Sequence, residues 1–299
     1  MTDRFVIEAA DVWKHYDDAE ALRGLTLQVP AGSICGFLGK NGAGKTTAIK
    51  LLLGMAQPTK GEVRVFGERP SGEESGAAIR RRIGFVSEDK DLYEYLTVAE
   101  MIAFTRPFYP GWRGDLEQKY LQAFDLPTNR DIKDLSRGMR TKLALLLALC
   151  HGAELLILDE PTSALDPAAA DEILKILVMH VSAADTTVFF SSHHLAEVEQ
   201  VADHVAIIDR GKTVVAGPLD DLRHRYQRIQ VVFDGEAPPM FLRSPGVQRV
   251  DSRGRMVTIL SASGSTALLD EVRGYGPAAI DVLPVTLKEI FLDTVRTED

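Results

Sequence analysis

The sequence predicts an α/β protein whose central sheet is largely parallel. Between residue 5 and about residue 218, short β-branched or apolar runs alternate with helical patterns, as expected when helices cover a parallel sheet. The runs at 187–190 and 204–209 are almost entirely apolar or β-branched, which is typical of strands in the middle of a sheet. The predicted strands of this sheet are residues 33–38, 83–86, 155–158, 187–190 and 204–209.

Two further elements accompany this sheet. The early runs 5–12, 25–29 and 62–66 predict an antiparallel side sheet. Between about residues 89 and 150 the strand pattern disappears, and Thr97-Val98-Ala99-Glu100 forms a capping box before an apolar helix. We therefore expect a helical subdomain over this stretch.

A domain boundary is expected after Gly217-Pro218, where an Asp- and Arg-rich segment begins. We predict a domain of residues 1–219 and a small α+β accessory domain of residues 220–299. Its expected strands are 229–233, 256–260 and 279–283, and its expected helices are 265–273 and 286–296. The apolar positions of the last helix predict packing against a core or another subunit.

Composition excludes several classes of protein. The 299 residues are 45% hydrophobic and 26% charged, and no run approaches the roughly 18 to 20 apolar residues of a membrane helix. The beginning of the sequence shows no signal-peptide pattern, so we expect a cytosolic chain. A net charge of −9 argues against nucleic-acid binding. Cys35 and Cys150 lack metal-site or redox spacing, and we interpret them as buried structural residues.

A phosphate-binding loop is the clearest functional motif. The segment Gly39-Lys40-Asn41-Gly42-Ala43-Gly44-Lys45-Thr46-Thr47 follows a predicted strand and precedes an apolar helix, as the G-x-x-x-x-G-K-[ST] pattern requires. The glycines let backbone N–H groups turn toward phosphate oxygens. Lys45 is expected to reach the β and γ phosphates, and Thr46 to ligate Mg²⁺. The motif thus predicts a P-loop NTPase core with a nucleotide site.

A pair of acids ends a later apolar strand. In Leu155-Leu156-Ile157-Leu158-Asp159-Glu160, the strand delivers two carboxylates to the sheet edge where a phosphate site forms. Asp159 is expected in the Mg²⁺ shell, and Glu160 as the base that activates the attacking water. By itself such a pair more often begins a solvated loop, so its interpretation as a catalytic pair depends on the phosphate loop in the same sequence.

With these motifs in order, residues 5–220 resemble the ATP-binding subunits of ABC transporters. The decisive segment is Leu135-Ser136-Arg137-Gly138-Met139, which looks like the family signature before a helix. The resemblance implies a dimer in which Ser136 and Gly138 of one subunit close over the γ-phosphate held by the other. It also implies a separate transmembrane permease as partner, with the chain held peripherally at the cytoplasmic face of the membrane.

The same resemblance suggests further site residues. Tyr16 lies where the family stacks an aromatic ring on adenine, although a partly buried structural tyrosine is the alternative. Asp166 ends a loop, Ser163-Ala164-Leu165-Asp166, that resembles the link between the two nucleotide sites. His193 resembles the histidine that contacts the γ-phosphate, whereas a surface role is expected for His194.

This sequence departs from the family pattern at two places. Glu88 stands where the family usually has a Mg²⁺-contacting glutamine, and a carboxylate there can ligate Mg²⁺ but adds negative charge. We therefore expect a catalytic site with altered coupling. Arg137 and Met139 replace a commoner glycine and glutamine. Together with the C-terminal segment 287–292, these features resemble bacterial exporter ATPases of the drug, peptide or lipid type.

Three other interpretations compete with an exporter ATPase. A soluble ATPase of the same superfamily usually fuses two ATPase units or inserts coiled coils, and this sequence has neither. A module that binds ATP without turnover is disfavoured by Glu160 and His193. An importer ATPase shares the core motifs, so only its membrane partner separates it from an exporter. The basic run at Arg223, His224, Arg225 and Arg228 is interpreted as a solvated linker.

Overall fold

The structure is a computed structural model that describes residues 5–17, 19–163, 165–184, 186–262 and 266–295. The chain divides into two compact units, Met1–Ala216 and Gly217–Asp299. Along the chain, the strands that begin in the larger unit are β1 Phe5–Tyr16, β2 Ala19–Pro30, β3 Ile34–Leu38, β4 Lys60–Val65, β5 Ile83–Val86, β6 Leu155–Asp159, β7 Thr187–Ser192, β8 His204–Asp209 and β9 Lys212–Pro218. Its helices are α1 Lys45–Leu52, α2 Glu73–Arg80, α3 Val98–Thr105, α4 Gly114–Ala123, α5 Arg137–Cys150, α6 Pro167–Ala184 and α7 Leu195–Val201.

The central sheet has the strand order β5-β6-β7-β3-β8-β9, and the neighbours from β5 to β8 pair in parallel. Every residue of β3, β6 and β7 is buried, as expected for strands covered on both faces. The ring centroids of Phe37 and Phe189 lie 5.2 Å apart in this core. The predicted parallel α/β sheet is confirmed. Of its strands the prediction missed only the edge strand β9, whose residues alternate between exposed and half-buried.

The antiparallel side sheet is also confirmed, with the order β2-β1-β4. Strands β1 and β2 are longer than predicted, because their register shifts several times and their polar outer residues hide the period of two. Its buried residues, among them Ile7, Val12 and Leu27, share one core cluster with Ile49 of α1 and Phe37.

Residues 89–150 contain α3, α4, α5 and two short 3₁₀ helices, Arg106–Phe108 and Ile132–Asp134. The capping box is present: Glu100 accepts from the Thr97 backbone N–H at 2.8 Å, and the Glu100 N–H donates to Thr97 Oγ1 at 3.2 Å. One isolated β-bridge, between Thr97 and Asp131, occurs here. The predicted helical subdomain is confirmed.

The smaller unit contains α8 Leu219–Arg225, β10 Gln227–Val232, β11 Val247–Arg253, β12 Met256–Ser261, α9 Thr266–Arg273, β13 Ala279–Pro284 and α10 Leu287–Thr294. Its antiparallel sheet has the order β11-β12-β10-β13. Ile229, Val257 and Ile259 pack with Leu268 of α9 in one cluster. The α+β prediction is confirmed. It missed β11, a polar edge strand, and α8, which carries Arg223, His224 and Arg225 of the run interpreted as a linker. Residues 265 and 296, at the ends of the two predicted helices, lie outside the described residues.

Both cysteines are buried and free. Burial raises the pKa of the Cys150 thiol to about 12, and it raises the pKa of Cys35 as well. Within the described ranges, no helix combines the length and apolar character that a membrane span requires.

Candidate active site

A cavity of about 450 Å³ lies at the carboxyl ends of the parallel strands. The segments after β3, β6 and β7 meet there, because these three strands are neighbours in the sheet order. The residues that line the cavity are Ala21, Asn41, Gly42, Gly44, Lys45, Thr46, Thr47, Glu88, Asp159, Glu160 and His193. The chain therefore brings much of the expected phosphate loop together with both acids and the histidine.

The phosphate loop depends on glycine at Gly44. This residue has φ of 108°, and a Cβ there would lie 2.7 Å from the carbonyl oxygen of Ala21. Helix α1 begins at the next residue, so its free N–H groups face the cavity. The Lys45 ammonium is buried and donates to the Gly39 carbonyl at 2.8 Å. The result is a concave, positively polarised surface suited to phosphate oxygens.

An oxygen-rich group of side chains lies beside the loop. Thr46 Oγ1 donates to Asp159 Oδ2 at 3.1 Å, and Ser191 Oγ donates to Asp159 Oδ1 at 2.6 Å. Glu88 lines the same cavity. Hydroxyl and carboxylate oxygens are the ligands that Mg²⁺ prefers, so Thr46, Asp159 and Glu88 fit this ion.

Glu160 lines the cavity and is held by two side chains. Its side chain is almost completely buried, with Oε1 3.3 Å from Lys45 Nζ and Oε2 2.8 Å from Nδ1 of His193. Its φ of 47° is unusual for a residue other than glycine, and such backbone strain is concentrated at functional sites. A buried carboxylate between a lysine and a histidine is suited to accept a proton from water.

Ser191 is a residue whose importance the sequence did not indicate. It is completely buried, and besides its bond to Asp159 its Oγ accepts from the Glu160 backbone N–H at 2.9 Å. One hydroxyl group thus holds both acids of the pair. The only available signal was its place two residues before His193, near the end of an apolar strand.

Lys90 is the second such residue. It is 7% exposed, and its Nζ donates to the carbonyls of Glu88 at 3.0 Å and Glu160 at 3.5 Å. Burial lowers the pKa of its ammonium group, while the negative charges of Asp159 and Glu88 oppose that shift. A lone lysine within an acidic loop gave no signal of burial.

Other predicted residues do not line the cavity. Tyr16 is 42% exposed, with the Lys14 ammonium 4.7 Å from its ring centroid. Gly39, Lys40 and Ala43 belong to the loop without lining the cavity. His194 is exposed, as expected for a surface residue.

The signature and the residue Asp166 also lie outside the cavity. Ser136 caps α5 by accepting from the Met139 backbone N–H at 3.2 Å. Asp166 caps α6 by accepting from the N–H groups of Ala168 and Ala169, both at 3.0 Å. Ala164, in the loop before Asp166, lies outside the described residues. The parts expected to act on a second nucleotide site are thus separate from this one.

Comparison with known proteins agrees with this geometry. The family model described as "ABC transporter" matches residues 22–163. The chain is 32% identical to the bacitracin transport ATP-binding protein BcrA of Bacillus licheniformis over 294 residues, 96% of this chain and 95% of that protein. It is 35% identical to the daunorubicin/doxorubicin resistance ATP-binding protein DrrA of Streptomyces peucetius, over 73% of this chain and 66% of that one.

A solved structure, titled "Structure of ATP binding subunit of ABC transporter", superposes with a TM-score of 0.66 at 28% identity. The match covers 73% of this chain and 92% of that one. The motifs, the fold and the similarity over nearly the whole length of a relative all indicate the same family. The chain belongs to the ATP-binding proteins of ABC transporters and is an ATPase of that family.

Proposed function

We propose that this chain powers an exporter by hydrolysing Mg²⁺-bound ATP, with Glu160 as the general base. The observation that carries the proposal is the position of the buried Glu160 carboxylate, between Lys45 and His193 in the cavity of the phosphate loop. This arrangement supports a proton acceptor beside the surface that would receive the γ-phosphate.

Each side chain then has a defined task. When phosphates enter, Lys45 moves from Glu160 to the phosphate oxygens, and the released carboxylate orients water and takes its proton. His193 donates from Nδ1 to Glu160 and fixes the carboxylate direction. Thr46, Asp159 and Glu88 would hold Mg²⁺, which would neutralise charge on the phosphate oxygens.

A second ATP-binding subunit completes the site. Ser136 and Gly138 lie outside the cavity of their own chain, and we propose that they close over the γ-phosphate held by the partner. Asp166 belongs to the link between the two sites, and Tyr16 stacks on adenine with its exposed ring. ATP then stabilises the closed dimer, and loss of phosphate releases it.

The relatives support the direction of transport. One is named for bacitracin transport and another for daunorubicin/doxorubicin resistance, and both names fit removal of a toxic compound from the cell. We propose that this chain serves a drug or peptide exporter. It associates peripherally with the cytoplasmic face of the membrane through a separate permease. We propose that the larger unit is the ATPase domain and that the smaller unit, predicted from the sequence as residues 220–299, is an accessory domain.

The test compares the wild type with Glu160→Gln, which keeps the side-chain shape but removes the base. We expect ATP turnover to fall by about 10²- to 10⁴-fold, while Mg-ATP accumulates a dimer that size-exclusion chromatography detects. Glu74→Gln, an exposed position on α2, is the matched control and should hydrolyse ATP normally. Wild-type turnover in Glu160→Gln would remove Glu160 from the mechanism.

A further inference from the structure

Lys90 is a buried cation that the proposed mechanism leaves unused. It follows Glu88 by two residues in the loop after β5, and its backbone takes the left-handed conformation with φ of 53°. Lysine is almost never buried unless its charge is compensated, because the ammonium group loses its hydration. Its position next to the nucleotide cavity therefore calls for a physical reason.

The contacts of Lys90 join two parts of the active site. The Nζ atom donates to the carbonyl of Glu88, on its own loop, and to the carbonyl of Glu160, 70 residues away in the chain. The Glu160 carbonyl also accepts from Ser163 Oγ at 3.1 Å. The loop that carries Glu88 is thus tied to the turn that carries the proposed base.

The charges of the cavity supply the second argument. Among the described residues that line it, Glu88, Asp159 and Glu160 are acids and Lys45 is the only lysine or arginine. Lys45 already contacts Glu160, and ATP brings further negative charge. The negative charges of Asp159 and Glu88 act on the Lys90 ammonium group and oppose the lowering of its pKa by burial. A cation at Lys90 therefore reduces the repulsion among these acids and the nucleotide.

We propose that Lys90 is a positioning residue for ATP hydrolysis, and that its charge compensates the carboxylate of Glu88 at the nucleotide cavity. The ammonium group holds the Glu88 loop against the Glu160 turn and offsets the negative charge of Glu88. This inference rests on the proposed function, since it takes Glu160 as the base. It predicts that residues 88 and 90 are energetically coupled.

The experiment is a double-mutant cycle on the full-length chain, with Lys90→Met, Glu88→Gln and the double variant. ATP turnover and the dissociation constant of Mg-ATP, measured with a fluorescent ATP analogue, are the readouts. We expect Lys90→Met to lower kcat and weaken Mg-ATP binding by about tenfold or more each. Adding Glu88→Gln should recover most of the binding, because the charge that needed compensation is gone.

Control variants distinguish a specific role of Lys90 from the general effect of removing a lysine and from misfolding. Lys50→Met removes an exposed lysine of α1 and should leave both readouts unchanged. If Lys90→Met does not fold, as judged by circular dichroism, Lys90→Gln keeps a donor for the carbonyls without the charge and replaces it in the cycle. Lys90→Arg keeps the charge and should retain more binding than either.

Two results would overturn the proposal. One is Mg-ATP binding by Lys90→Met that equals the wild type. The other is a double variant that binds no better than Lys90→Met, which would show that Lys90 supports the fold without offsetting Glu88. If Glu160→Gln also hydrolyses ATP normally, the proposed function itself has failed, and that outcome is separate from the binding cycle.

Discussion

Replacing Ser191 by alanine removes one buried hydroxyl group that holds both acids of the active site. Its Oγ donates to Asp159 at 2.6 Å and accepts from the Glu160 N–H at 2.9 Å. A hydrogen bond to a charged group contributes about 1.5–3 kcal/mol, and a buried N–H left without a partner costs about 1–3 kcal/mol. The two effects share one atom and do not add fully, so we expect a loss of about 2–4 kcal/mol in the free energy of unfolding.

The catalytic effect follows from the same contacts. Glu160 has a strained backbone, and its amide loses a fixed acceptor in Ser191→Ala, so its carboxylate should point less well at the attacking water. We expect ATP turnover to fall by about tenfold or more. Urea unfolding and a steady-state ATPase assay measure the two effects.

Ser192→Ala is the matched control for this variant. Ser192 is equally buried, but its hydroxyl accepts from the His194 backbone N–H at 2.9 Å and, in the described part of the chain, bonds to neither acid. Its loss should cost about 1 kcal/mol. Ser191 does not hold the two acids in place if the unfolding free energy of Ser191→Ala lies within about 0.5 kcal/mol of that of Ser192→Ala and the variant hydrolyses ATP at the wild-type rate.

Two further predictions concern stability. Gly36→Ala places a Cβ 2.2 Å from Cγ1 of Val198, so calorimetry should show a loss of about 1–3 kcal/mol in the free energy of unfolding. In the control Gly114→Ala the new Cβ meets no atom within 4 Å, and stability should hardly change. Equal melting temperatures for the two variants would contradict this prediction. Burial lowers the pKa of His180, which contacts the Tyr120 hydroxyl at 3.1 Å, to about 4 from the ordinary 6.5. The unfolded imidazole therefore binds a proton first as pH falls from 6.5 toward 4, and stability should drop by about 1–2 kcal/mol between pH 7 and pH 5. Urea unfolding at both pH values should show a smaller drop in His180→Gln, and an identical drop would exclude His180 as the cause.

The common location of the phosphate loop and the acid pair could be predicted from the sequence. Each lies at the carboxyl end of a buried strand, and the carboxyl ends of parallel strands meet at one edge of a sheet. Lys45, Asp159 and Glu160 were therefore expected in one place, and all three line the cavity. The capping box at Thr97 was predictable for a related reason, since its hydrogen bonds span only three residues.

The weaker parts of the fold prediction have an equally physical cause. Strand β11 contains several polar and charged residues and lies at a sheet edge, where one side needs no apolar cover. Strand β9 has the same edge position in the larger unit, and its residues alternate between exposed and half-buried. Apolar patterns report burial, so strands that are only half buried leave a faint signal.

The α/β class, the phosphate loop, the acid pair and the family resemblance could be predicted before the fold was known, because they depend on short spacings and on the alternation of apolar residues. The contacts of Ser191 with Asp159 and Glu160, and the burial of Lys90 against Glu88 and Glu160, became visible only in the folded chain. Ser191 is 31 residues from Glu160, and Lys90 is 70 residues from it. Whether a hydroxyl or an ammonium group is buried and paired depends on contacts between segments that are distant in the sequence. Local sequence patterns carry no information about those contacts.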